Sequence, residues 1–572
     1  MIFSHRVNFM RRKPAPCIAL LSGALLLAAS VPGQADFARA QNGMVASVDP
    51  IATRIGVDIM KRGGNAVDAA VAVGLALGVV NGYNSGVGGG CFMLIHRANG
   101  EIIALDGREM APGRATRDMF VRDGKGDTHL SQTGALASGI PGSVAVYERA
   151  VQKYGRLKFA DSLLPSAQVA EDGFPLTKSY VGRMKSVQKD LLSFPASREI
   201  YFKADGTPLA EGDVLRQPDL ARSYRAMAKQ GAKWFYRGDF AKATEKWMKA
   251  NGGITTARDF ANYKVIDRKP IYSTYRGFKV VSFPPPSSGG VHVAQILNIL
   301  SYFNLATMTP ADREHVLAEA MKRAFADRAF YLGDPAFTKV PVGLVNSEYA
   351  RSLAAQIQLD KAVPVKGQGD PYPFDPHVFE KHTTHFSTAD KEGNWVACTS
   401  TVNTSFGSKV TIPGTGIVLN DQMDDFAIQP GTPNAFGLIG GDANSVAPGK
   451  RPLSSMSPTI VLQGDKPFLA LGAAGGPTII TQTVQAIVGA IDLRLPVDQA
   501  LALPRLHQQW VPDSVRIETT MPAAIRESLR ARGHVLDEVA SIGAAQVVGR
   551  DLLTGELVGA SEPRVEGLAL GF

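Results

Sequence analysis

His382-Thr383-Thr384-His385-Phe386-Ser387 stands where the chain changes texture. Upstream, residues 361 to 382 are rich in Pro, Gly and charge, lack periodicity, and read as an exposed loop. Downstream, Thr384 to Ala389 and Trp395 to Ser400 read as strands flanking an Asp390-Lys391-Glu392-Gly393 turn. A loop that runs into a strand is a place where an internal peptide bond can be cut to expose a new amino terminus. Threonine is a weak nucleophile at its own pKa and needs a base within hydrogen-bond reach. A freed α-amine, with a reference pKa of about 7.7 to 8.0, supplies that base on the same residue. Thr-Thr at a strand start also satisfies ordinary β-propensity, so these residues alone leave both readings open. His382 and His385 form an H-x-x-H pair, but in a strand that odd spacing sends them to opposite faces, which argues against a shared metal.

Further downstream, Thr459 to Leu462 pairs with Pro467 to Leu471 across Gly464-Asp465. Gly472-Ala473-Ala474-Gly475-Gly476-Pro477 then opens a helix from Thr478 to Ile491. Such a turn can present backbone N–H groups to an oxyanion, or merely let a strand pass close to a helix. The group Asp421, Asp424 and Asp425 lacks the alternating spacing and later glutamate of a calcium loop, and reads instead as offering one carboxylate to a cation. Upstream, Asp49-Pro50 starts an amphipathic helix stopped by Gly63-Gly64, and Asn65 caps a second helix, Val67 to Val80. That helix is apolar on nearly every side except at Asp68, so it is expected to be buried all round. After Ser85-Gly86-Val87-Gly88-Gly89-Gly90, two strands, Cys91 to His96 and Glu101 to Leu105, join across Asn99-Gly100. Arg108 follows, a residue able to grip a carboxylate bidentately, though most lone arginines are solvated. Ala311 to Tyr331 reads as a long helix.

The 572 residues are 45% hydrophobic and 20% charged, enough to bury a large core. Arg6, Arg11, Arg12 and Lys13 precede an apolar run, Cys17 to Ala29, and small residues at Gly33-Gln34-Ala35, so residues 1 to 35 read as a removable secretory signal. The run falls short of the roughly 20 residues that span a bilayer. Those four basic residues account for four units of the formal net charge of +9, and the remainder shows no basic stripe for nucleic acid. Without Cys17, only Cys91 and Cys398 remain, too few for a disulfide framework or a four-cysteine zinc site. There is no P-loop, H-E-x-x-H, C-x-x-C or G-x-S-x-G.

From about Ala46 onward the chain resembles the γ-glutamyltransferases, members of the N-terminal nucleophile hydrolases. The matching stretches, in order, are Gly63 to Ala70, Ser85 to Gly90, Arg108-Glu109, Pro284-Pro285-Pro286-Ser287-Ser288-Gly289-Gly290, Thr383 to Ser387, Asn420 to Phe426, Arg451 to Pro458 and Gly475-Gly476. The resemblance implies an α+β fold, a four-layer αββα sandwich. It is built from two subunits that stay together as a heterodimer: a large one over residues 36–382 and a small catalytic one over 383–572. It implies self-cleavage before Thr383 and attack by Thr383 on glutathione or another γ-glutamyl compound. The γ-glutamyl ester then passes to water or to an acceptor amino acid or peptide. By the same match, Thr401 bonds the nucleophile and the N–H groups of Gly475 and Gly476 form the oxyanion hole. Arg108, Ser454 and Ser455 hold the substrate carboxylate, while Asn403, Gln422 and Asp425 hold its ammonium. No metal, cofactor, nucleic acid or lasting membrane anchor is implied, and the location is periplasmic or secreted.

Two departures stand out. In Pro433 to Arg451, which resembles a lid loop, Phe436 replaces a usual tyrosine and cannot offer a hydroxyl to Asn403. Asn81-Gly82-Tyr83-Asn84 replaces a usual Glu- and Pro-containing run. The rivals are an acylase for glutaryl or cephalosporin amides on the same scaffold and an unprocessed binding protein. Against the acylase, the expectation is that Asp425 needs a substrate ammonium to justify its burial.

Overall fold

A computed structural model describes residues 1, 36–371 and 384–572. The expected signal segment and Thr383 therefore lie outside the described residues. Before that second gap come strands β1 (Phe37–Ala40), β2 (Gly43–Ser47), β3 (Gly90–His96), β4 (Ile102–Gly107), β5 (Ile266–Arg268), β6 (Ile271–Tyr275) and β7 (Phe278–Ser282). After it come β8 (His385–Asp390), β9 (Trp395–Thr401), β10 (Thr459–Gln463), β11 (Lys466–Ala474), β12 (Ala544–Arg550), β13 (Leu557–Ser561) and β14 (Leu568–Gly571). These strands form two seven-stranded sheets, one ordered β1-β13-β12-β11-β10-β7-β6 and the other β14-β2-β8-β9-β3-β4-β5. The strand pairings within both sheets are antiparallel. Strands from both sides of residue 383 alternate within each sheet: β8 and β9 lie between β2 and β3, and β13 to β10 between β1 and β7.

Strand periodicity sorts the side chains into layers. Trp395, Ala397, Phe92, Leu94, Ile460 and Ala470 point into the core between the sheets. Their neighbours Val396, Cys398, Met93 and Ile95 face one helical layer, and Val461, Leu469 and Leu471 face the other. Helices α1 (Pro50–Lys61) and α2 (Ala66–Val80) cover the sheet that holds β2, β8 and β9, while α3 (Ser288–Leu300) and α5 (Thr478–Ile491) cover the sheet that holds β6, β7 and β11, with α4 (Pro310–Tyr331) packed against α3. The expected αββα sandwich is thus realised.

The helix ends fall where their caps dictate. Asp49 accepts from the N–H of Ile51 and Ala52, and Asn65 forms a reciprocal capping box with Asp68. Asp68, the exception in an apolar helix, is itself buried and also receives the N–H groups of Arg156 and Leu157. Cys91 and Cys398 are buried free thiols. No helix among the described residues is long and apolar enough to cross a membrane.

Candidate active site

The strand β8 enters its sheet directly after Thr384, whose carbonyl accepts the Ser400 N–H at 2.5 Å. His385 is buried in hydrogen bonds to Thr399 Oγ1 at 3.0 Å and Ser387 Oγ at 2.8 Å, and burial pushes its pKa down to about 3. It is a neutral core histidine. A Cβ on Gly472 would collide with its ring, so β11 crosses close to the start of β8 and delivers Gly475-Gly476 beside it. Gly475 and Gly476 have φ of 127° and 59°, and their carbonyls accept the first N–H groups of α5, from Thr478 and Ile479, both at 3.2 Å. Neither glycine's own N–H donates to any described residue. Two backbone donors at a helix N-terminus are what an oxyanion requires.

Thr401 ends β9, with its Oγ1 accepting the Asn403 N–H at 2.7 Å. The run Ser85 to Gly90 packs here, and a Cβ on Gly89 would strike the Thr401 carbonyl. The divergent Asn81 to Asn84 segment has a role too: the Tyr83 and Asn84 carbonyls accept the N–H groups of Phe406 and Val402 at 2.9 and 3.0 Å. It therefore braces the turn carrying Asn403. Asn403 Nδ2 bonds the Asp421 carbonyl at 3.1 Å, while its Oδ1 is buried without a hydrogen-bond partner among the described residues.

The three aspartates part company. Asp421 takes Thr404 through its N–H at 3.0 Å and its hydroxyl at 2.5 Å. Asp424 takes Ser131 Oγ at 2.6 Å and the Ala435 N–H at 2.9 Å, so it tethers the lid. Asp425 pairs with Arg108, Nη2 to Oδ2 at 2.6 Å, and also receives Gln422 Nε2 at 3.0 Å. Arg108 further contacts Glu109 at 3.2 Å and the Pro452 carbonyl at 3.2 Å. All three charged groups are buried. Burial pushes Glu109 up to about 7 in spite of Arg108 beside it. Behind them, burial alone would raise Asp106, yet Arg451 and Arg268 hold it below the usual carboxylate range. Asp106 Oδ1 in turn accepts the Arg108 N–H at 2.8 Å, which fixes the backbone from which Arg108 projects.

Here the expectation about Asp425 is corrected. Its burial is already justified by Arg108, so it does not by itself demand a substrate ammonium. The two groups expected at opposite ends of a ligand are instead partners of each other.

Ser454 and Ser455 are buried beside the Pro284 to Gly290 loop. The Ser288 N–H and Oγ both donate to the Ser454 carbonyl, at 3.0 and 2.5 Å. Sequence reasoning missed Arg328 on α4, which donates from Nε to Ser288 Oγ at 3.0 Å and from Nη2 to Ser455 Oγ at 3.3 Å. A signal existed: Arg328 has no acidic residue three or four places away.

The loop expected to act as a lid passes the glycine turn. Phe436 lies against the glycine turn, so that a Cβ on Gly476 would come within 2.6 Å of its ring. Beside it, a cavity of about 360 Å³ reaches from Gly475 and Phe436 to His507 and Arg516.

The four-layer αββα sandwich is the architecture of the N-terminal nucleophile hydrolase class. Within it, the chain belongs to the γ-glutamyltranspeptidase family, whose model matches residues 52–572. It is 45% identical to the glutathione hydrolase proenzyme of Escherichia coli (strain K12), over 99% of each chain. Among solved structures it resembles the cephalosporin acylase from Bacillus halodurans, with a TM-score of 0.83 and 29% identity over 95% of this chain and 98% of that one. It also resembles a chain of Helicobacter pylori γ-glutamyltranspeptidase, with a TM-score of 0.55 and 42% identity over 56% of this chain and 92% of that one.

Proposed function

We propose that this enzyme cleaves γ-glutamyl amides such as glutathione and passes the γ-glutamyl group to water or to an amino acid or peptide. Self-cleavage before Thr383 yields a large subunit over residues 36–382 and a small one over 383–572, held together as a heterodimer, in the periplasm or outside the cell. Thr383 Oγ1 then attacks the γ-carbonyl, and its proton passes to the new α-amine on the same residue. The resulting oxyanion accepts from the Gly475 and Gly476 N–H groups. Collapse breaks the C–N bond, the departing amine takes the proton, and a γ-glutamyl ester remains on Thr383. Water or an amine, deprotonated by the α-amine, releases it. Thr401 orients the nucleophile; Asn403, Gln422 and Asp425 take the substrate ammonium, and Arg108, Ser454 and Ser455 its carboxylate.

The observation that carries the reading is the 45% identity to the glutathione hydrolase proenzyme of Escherichia coli over 99% of each chain. A glutaryl acylase is the second reading, favoured by the likeness to the cephalosporin acylase fold and by the fact that Asp425 has an internal partner. The deciding experiment has two parts. Intact masses of wild type and Thr383→Ala should show two polypeptides in the first, the smaller starting at Thr383, and one in the second. Purified wild type should hydrolyse γ-glutamyl-p-nitroanilide in preference to glutaryl-p-nitroanilide. An uncut wild-type chain overturns the nucleophile, and the reverse preference overturns the substrate.

A further inference from the structure

Gln422 to Asp425 form a single turn of 3₁₀ helix that carries two adjacent buried carboxylates with different surroundings. Asp425 answers Arg108, whereas Asp424 makes no ion pair among the described residues. Three donors meet it instead. Its Oδ1 receives Ser131 Oγ at 2.6 Å and Gln132 Nε2 at 3.2 Å, and its Oδ2 receives the Ala435 N–H at 2.9 Å. Burial and the field of Asp425 both push its pKa up, and these donors oppose the shift. A buried carboxylate without a cation is costly, so each of its bonds matters, and each is charge-assisted and stronger than one between neutral groups.

The two oxygens face different parts of the chain. On the Oδ1 side stands the short helix Thr128–Gln132, capped by Asp127 through the His129 N–H at 3.0 Å. Lys409 Nζ holds its far end, donating to the Gln132 carbonyl at 3.0 Å. On the Oδ2 side stands a closed turn. Asn434 Oδ1 accepts the N–H groups of Phe436 and Leu438 at 3.0 and 3.1 Å, and the Asn434 carbonyl accepts that of Gly437 at 2.9 Å. Residues 434 to 438 therefore form one piece, and the bond from Ala435 to Asp424 pegs that piece to the helix before residue 383. On its other side Gln509 Nε2 reaches the Phe436 carbonyl at a long 3.4 Å. The ring placed by this peg lies on Gly476 and walls the cavity of about 360 Å³, together with Gly475, Pro477, His507 and Arg516. None of Arg108, Asp425, Ser454 and Ser455 lines it. A carbonyl held by the Gly475 and Gly476 N–H groups, with its head group at Arg108 and Asp425, thus has this cavity open to its leaving amine.

We propose that Asp424 is a positioning residue for leaving-amine selectivity: by pegging residues 434–438 to the helix Thr128–Gln132, it fixes the Phe436 ring as the wall against which a bulky apolar leaving amine rests. The proposal rests on the γ-glutamyl reading above and deepens it, since that reading names the group transferred and this one names what decides the amine released.

The test compares kcat/KM for γ-glutamyl-p-nitroanilide, whose leaving amine is aromatic, with that for γ-glutamyl-methylamide, whose leaving amine is minimal, in wild type, Asp424→Asn and Ser131→Ala. The near-isosteric Asp424→Asn exchanges one acceptor oxygen for a donor and cannot satisfy both sides of the peg. It is expected to lower kcat/KM for the anilide about 10-fold, through KM, and to leave the methylamide within about twofold of wild type. Ser131→Ala, which removes one bond from the far side of the peg, is expected to move the same ratio about threefold in the same direction. Disturbance of neighbouring Asp425 would weaken both donors equally, because both carry the same head group. Equal losses, an unmoved ratio or a shift in favour of the anilide therefore overturns the proposal. If Asp424→Asn yields no folded protein, Ser131→Ala decides by the same ratio. A wild type that cleaves glutaryl-p-nitroanilide and no γ-glutamyl donor would overturn the γ-glutamyl reading instead. The ratio of glutaryl-p-nitroanilide to glutaryl-methylamide then tests Asp424: shifted against the anilide in the variants it supports the assignment, unmoved it overturns it.

Discussion

The two walls of the site are made of different material. Around Arg108 and Asp425 the wall consists of buried charged side chains that answer one another, whereas at Gly475-Gly476 it is backbone alone, with a lid phenylalanine laid against it. A charged wall can be tuned by exchanging residues but fails when one partner is lost. A backbone wall has no side chain to lose and fails when one is added.

Asp425→Ala should show the first kind of failure most strongly. It leaves Arg108 with Glu109 alone and should cost about 3 to 5 kcal/mol, read as a lower unfolding free energy and as near-complete loss of kcat/KM. Wild-type kinetics would break the comparison. Gly476→Ala should show the second kind, with kcat down about 100- to 1,000-fold, because φ is 59° and the new Cβ meets Phe436 at 2.6 Å. Adding Phe436→Ala removes the collision but not the dihedral constraint. Recovery in that double variant would show that the lid, and not the turn, sets the requirement for glycine.

A pH titration sharpens the contrast, since only the charged wall responds. Glu109 is raised to about 7, so the folded state binds more protons than the unfolded one between the ordinary glutamate range and pH 7. Its contribution is fully present at acid pH and is lost as pH rises through 7, with a slope of at most about 1.4 kcal/mol per pH unit. The pH dependence of thermal unfolding from pH 5 to 8 should be less steep in Glu109→Gln than in wild type by that slope, the remainder coming from Glu314, Asp421, Asp49 and Asp327, which burial also raises. The smallest effect belongs to Phe436→Tyr. A hydroxyl there is expected to reach Asn403 Oδ1, a bond worth about 1 kcal/mol, and to shift the ratio of transfer to hydrolysis by about fivefold toward transfer. An unchanged ratio would mean that the lid makes no polar contact with Asn403.

Local signals were legible in the residues and long-range ones were not. The ends of α2 and α5 follow from Asn65 and from the glycine turn, and both hairpins from Asn99-Gly100 and Gly464-Asp465. Nothing local says that β8 pairs with β2, or β9 with β3, because register between distant segments depends on packing across the whole sheet. The same limit applies to the site. Its residue types could be picked out one by one, but the bond between Arg108 and Asp425, 317 positions apart, could not. Arg328 was passed over because a single arginine in a long mixed helix reads as solvated until burial is known.

The alternation of strands from either side of residue 383 bears on what happens after cleavage. An uncut chain that unfolds can return by a one-molecule process. If the chain is cut at 382–383 as proposed, β8 and β9 belong to a separate polypeptide from the strands on either side of them, and regaining the sheet needs two molecules to meet. Refolding of the mature pair then depends on concentration, slowing with dilution, while that of the precursor does not. Under the proposed cleavage, the peptide bond between residues 382 and 383 would act as an assembly jig, turning the laying-down of both sheets into a one-molecule process.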